Sequence, residues 1–147
     1  MDEQVRRPIV VGVDGSPRST DALRRAHDLS VRMDRPLRAV TAWHFPTTFA
    51  EFPPIEWNPQ KDAEQALEDA LAAAFGSDVP SGLQRLVVQG QPAKVLVDES
   101  RTAEMLVVAS RGKGGFAGLL LGSVSSAVAA HAHCPVLITH GEAPESS

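Results

Sequence analysis

The chain has 147 residues, 43% of them apolar and 22% charged, with a net charge of -4; a chain of that size buries roughly two-thirds of its unfolded surface. Those values exclude collagen, coiled coil and tail-like disorder, and an acidic balance argues against a broad nucleic-acid or anionic-membrane footprint. One cysteine, Cys134, can form no internal disulfide; a reducing, cytoplasmic location follows, and the apolar run after Arg6 and Arg7 is too short for a leader or a membrane span.

In chain order, Ile9 to Val13 is a β-branched run closed by Asp14-Gly15-Ser16-Pro17, a buried strand and a turn. Ala22, Leu23, Ala26, Leu29 and Met33 then recur at helical spacing, with Ser16 or Ser19 as the cap. Leu37 to Trp43 is a second strand. Asn58-Pro59 opens a second helix and Gly76 stops it at a left-handed position. Leu86 to Val88, Pro92 to about Ser100, Met105 to Ala109, Ser123 to His131 and Pro135 to Ile138 continue as strand, helix, strand, helix, strand. Continuously apolar strands between amphipathic helices require a parallel sheet covered on both faces, so the expected fold is α/β, a three-layer sandwich in a single domain. Its core is expected over about residues 7–141, with a frayed tail after them. Ligands of such sheets sit at the carboxyl ends of the strands. The stretch from His44 to Gln60 holds four of the eleven prolines and three of the five phenylalanines, and reads as a loop over the helix ends or a lid.

Residues 110–126 read SRGKGGFAGLLLGSVSS, with glycines at 112, 114, 115, 118 and 122 between a strand and a helix. Glycine lets a ligand approach the backbone, and free N–H groups at a helix start attract phosphate. Gly122, Ser123, Val124 and Ser125 would present amides and two hydroxyls, with Arg111 and Lys113 adding charge. Phe116 and Leu119 to Leu121 read as an apolar plug. A Walker loop and the GxGxxG fingerprint are both absent. His131, His133 and Cys134 are close in sequence but lack a fourth ligand for a metal.

The chain resembles the universal stress proteins through Ile9-Val10-Val11-Gly12-Val13-Asp14-Gly15-Ser16, Gln89-Gly90-Gln91-Pro92-Ala93, Ser110-Arg111-Gly112 and His133-Cys134-Pro135-Val136-Leu137-Ile138. Their ATP-binding pattern, G-x2-G-x9-G-[ST], is matched by Gly112, Gly122 and Ser123, with Ala109 in the first glycine's place. The resemblance implies a Rossmann-like five-stranded sheet of order 3-2-1-4-5 and an ATP site. Gly12, Val13 and Asp14 would border adenine, ribose or metal-bound phosphates, and Ala42 would flank the base. Val108, Ala109, Ser110, Arg111 and Gly112 would line the ribose and phosphates, which Gly122, Ser123, Val124 and Ser125 would hold. Asp14 is the sole carboxylate of this set and suits Mg²⁺ carried on phosphate or water. The resemblance further implies a homodimer through Val136 to Ile138, no membrane or nucleic-acid partner, and a stress-signalling role. No catalytic base is evident beyond Asp14, so at most weak ATPase activity is expected; the alternative functions are a slow ATPase or nucleotidyl-transfer enzyme, or a nucleotide-free dimeric stress protein that works through protein partners.

Overall fold

A computed structural model describes residues 6–45, 58–111 and 121–141. The elements are β1 (Ile9–Gly12), α1 (Pro17–Met33), β2 (Leu37–Trp43), α2 (Pro59–Phe75), β3 (Gln84–Gln89), α3 (Pro92–Ser100), β4 (Met105–Ala109), α4 (Ser123–His131) and β5 (Val136–Thr139). The five strands form one parallel sheet in the order β3-β2-β1-β4-β5, as expected.

Alternation along the central strands divides the core into two layers. Ile9, Val11, Ala39 and Val107 pack with Leu23, Ala26, Leu67 and Leu71 of α1 and α2. Val10, Val40, Leu106 and Val108 pack on the other face with Val95, Leu96 and Val128 of α3 and α4. Strands buried on both faces carry no polar alternation, which is why their sequences read as unbroken apolar runs.

Local chemistry sets the helix ends. Ser16 caps α1, its Oγ accepting from Ser19 N at 3.2 Å, and Asn58 caps α2, its Oδ1 accepting from Lys61 N at 3.1 Å. Gly76 ends α2 with φ 62° and ψ -128°; the sign of φ is as expected, but the residue is outside the left-handed helical basin. β3 begins at Gln84, two residues before the expected Leu86. Gln84 and Arg85 are exposed on a sheet edge, where burial does not demand apolar residues. The expected lid over 44–60 falls largely outside the described residues, as do the plug at Phe116 and Leu119 and the tail beyond residue 141.

Candidate functional site

The strand order reverses between β1 and β4, whose crossovers leave to opposite faces; this is where an open α/β sheet forms a crevice. β1 ends at Gly12, and Val13 still bonds β2, its N donating to Val40 O at 2.9 Å. The Val13 carbonyl accepts from Thr41 Oγ1 at 3.0 Å. Asp14 is exposed, and its Oδ1 accepts from Ser16 N at 2.9 Å while its own N donates to Ser19 Oγ at 3.3 Å. The turn reading of Asp14 is thus satisfied, and the residue follows directly on the carboxyl end of β1.

Across the crevice β4 runs into Ser110, which is 1% exposed. Its N donates to Thr139 O at 2.7 Å; its carbonyl accepts from Gly122 N at 2.6 Å and from Ser125 Oγ at 2.6 Å. These bonds place the first turn of α4 beside the end of β4. Gly122 is its N-cap, extended at φ -78° and ψ 176°, and among the described residues no side chain caps this turn. The amides of Ser123, Val124 and Ser125 therefore keep the donor capacity that Ser16 and Asn58 consume in α1 and α2.

The structure brings Gly12, Val13, Asp14, Ser110, Arg111, Gly122, Ser123, Val124 and Ser125 to one sheet edge; Gly112 lies outside the described residues. Several differ from their expected parts. The hydroxyl of Ser125 is directed at Ser110 and Gly122 carbonyls, and the residue is 2% exposed, so its available contribution is the amide. Ser123 remains exposed. The side chains of Val13 and Val108 belong to the core, and Ala109 packs its methyl toward α1. Gly12 has a packing reason to be glycine: a Cβ there would come within 2.9 Å of Leu96 Cδ1.

Ala42 lies near the end of β2. Alternation in a parallel ladder turns the polar backbone groups of Val40 toward β1, and those of Ala42, two residues on, turn the same way beyond the end of β1. Trp43 faces β3 instead, its carbonyl accepting from Gly90 N at 2.7 Å, and its ring meets Phe45 edge to face at 5.6 Å. Sequence reasoning missed Thr41 and Ser19, which hold Val13 and Asp14; a hydroxyl in an otherwise apolar strand was the available signal for Thr41.

Among the described residues no group of three or more His, Cys, Asp or Glu side chains could hold a metal. Burial pushes the Cys134 thiol up, Glu104 adds to the shift, and a bond with the Leu106 backbone opposes it; the protonated thiol is a poor metal ligand. An open cleft of about 660 Å³ lies elsewhere, between α1 and β5, lined by Arg25, Asp28, Leu29, Leu137 and Thr139 among others. No described helix is long and apolar enough to cross a membrane.

Residues 6–140 match the Universal stress protein family. A universal stress protein of Mycobacterium tuberculosis is 40% identical over 139 residues, 94% of this chain and 46% of the relative; the chain spans about half the length of the curated relatives it matches. A solved universal stress protein in complex with cAMP is 27% identical with a TM-score of 0.70, covering 95% of this chain and 100% of that one. A universal stress protein from Archaeoglobus fulgidus in complex with dAMP shares the fold at 20% identity and a TM-score of 0.63, covering 92% and 98%. This chain belongs to the universal stress protein family.

Proposed function

We propose that the chain binds an adenine nucleotide, ATP in the first instance, in the crevice between β1 and β4. The observation that carries this reading is the first turn of α4, whose N-cap is a glycine and whose amides no side chain among the described residues caps. Such a turn favours phosphate through both its donors and the helix dipole. Arg111, half-buried at the end of β4, adds positive charge. The peptide edge of Ala42 supports adenine as the base, since one N–H and one C=O turned the same way match the N1 acceptor and N6 donor of adenine. The cAMP complex of a 27% identical relative points to the same ligand class.

Mg²⁺ fits this site only as a passenger on the phosphates. One exposed carboxylate, Asp14, faces the crevice, and an ion that retains several waters needs no more from the protein. The residues assigned here bind and orient; none is placed to remove a proton from water, so the role is that of a nucleotide-responsive module rather than an enzyme. One half-buried cysteine and the absence of a long apolar helix among the described residues suit a reducing, cytoplasmic setting.

The partner proposed for the module is a second copy paired along β5. Leu106 N donates to Pro135 O at 2.9 Å and Ser110 N to Thr139 O at 2.7 Å, so the odd-numbered residues face β4 and the backbone groups of Val136 and Ile138 face outward.

Isothermal titration with ATP, ADP and AMP in Mg²⁺ tests the ligand. Heat is expected with the native chain and a loss of roughly tenfold or more in affinity for Gly122→Val, which sets a branched side chain beside the amides at a cost of about 1.4 kcal/mol per decade. Silence of the native chain at millimolar nucleotide rejects the proposal. Phosphate release over hours, with Asp14→Ala as control, should remain at the uncatalysed level.

A further inference from the structure

The exit of β5 is held from two sides by the walls of the crevice. On one side the Ser110 amide bonds the Thr139 carbonyl at 2.7 Å, while the Ser110 carbonyl receives both Gly122 N and Ser125 Oγ at 2.6 Å. One buried peptide thus joins the end of the edge strand to the first turn of α4. On the other side Arg18 Nη1 donates to the His140 carbonyl at 2.7 Å. Arg18 lies in the first turn of α1, directly after the turn that Asp14 and Ser16 close. Its stem lies close to Gly141 as well, where a Cβ would meet Arg18 Cγ at 3.5 Å. β5 is only four residues long and all four are half-buried, so these tethers are a large part of what orders its end.

Resting on the nucleotide reading above, we propose that occupancy of the crevice and pairing of two copies through β5 are one linked equilibrium, in which bound adenine nucleotide tightens the dimer. Phosphate on the α4 amides fixes Gly122 and Ser125 against Ser110, and contact at Asp14 fixes the turn that carries Arg18. Both arms then hold the carbonyls of Thr139 and His140, and so fix the end of the strand along which a second copy would pair. Order already imposed by the nucleotide need not be imposed again on pairing, which makes the two events cooperative without a large movement. Linkage is reciprocal, so with one site per copy the dimer must bind each nucleotide more tightly than the monomer by the square root of the factor by which nucleotide tightens the dimer.

Sedimentation equilibrium of the full chain with and without Mg-ATP measures the dimer constant, and titration calorimetry below and above that constant measures ATP affinity. A tightening of the dimer constant by about fivefold or more is expected, with a per-site gain in ATP affinity of about its square root, roughly twofold or more. Exchange of the Ile138 to His140 amides should slow with ATP. ATP heat accompanied by an unchanged dimer constant, or by unchanged exchange at β5, overturns the link and leaves nucleotide binding standing. No heat at all removes the nucleotide reading and the link with it. Arg18→Ala should bind ATP as a monomer yet show a reduced tightening; full tightening in that variant overturns the route through α1.

Discussion

The direction of a single methyl decides what Ala109 does to the site. Its residue is half-buried on the face of β4 that packs under α1, so the Cβ points into a core layer rather than up into the crevice. Removing it should loosen packing and free the backbone without widening the site. Ala109→Gly is therefore expected to lose about 0.5–1 kcal/mol of stability, seen as a fall of roughly 1–4 °C in thermal midpoint, while ATP affinity in calorimetry stays within about twofold, far below the tenfold that 1.4 kcal/mol would give. A tenfold gain in affinity would show instead that the methyl obstructs the ligand. Gly12 is the converse case. Its sequence context suggests ligand approach, whereas an added Cβ would first meet the Leu96 side chain at 2.9 Å and oblige its Cδ1 to shift.

Between elements, the joints depend on side chains that bond across distance in the chain. Ser100 is fully buried at the end of α3; its Oγ donates to the Val97 carbonyl and accepts from His133 N at 2.9 Å, fastening α3 to the link between α4 and β5. Ser100→Ala leaves that amide without its partner, at a cost of about 1–3 kcal/mol. A drop of roughly 2–10 °C in thermal midpoint is expected; an unchanged midpoint would show that the joint carries no stability. Contacts of this kind were not legible beforehand. The caps of α1 and α2 were, because Ser16 and Asn58 act on amides three residues away. The alternation of helix and strand was legible for the same local reason, but strand order came only from the family resemblance, since periodicity says nothing about neighbours. The partner of the Ser125 hydroxyl is fifteen residues away, at a carbonyl placed by β4, and no spacing rule reaches it.

For the whole molecule the two sheet edges are unlike. β3 is flanked by charge: Arg85 pairs with Glu68 at 2.6 Å, and Arg38 reaches Gln84 at 2.8 Å and Glu99 at 3.0 Å. Exposed pairs of this kind add little stability, but they discourage another strand from docking. β5 reads Val-Leu-Ile-Thr with no charge and is half-buried throughout. The cleft beside it, between α1 and β5, leaves Leu137 and Thr139 incompletely covered on the α1 face. An edge that carries no charge of its own, unlike β3, suits the proposed pairing of two copies. The Ile138 amide faces outward, away from β4, so Ile138→Pro removes a donor that the folded monomer does not need, as proline at sheet edges requires. Lost apolar contact with the α4 layer should cost about 1–2 kcal/mol, and the variant should sediment as a folded monomer where the proposed pairing through β5 gives a dimer of the native chain. A dimer that survives this substitution with its constant unchanged would place the seam between copies somewhere other than β5.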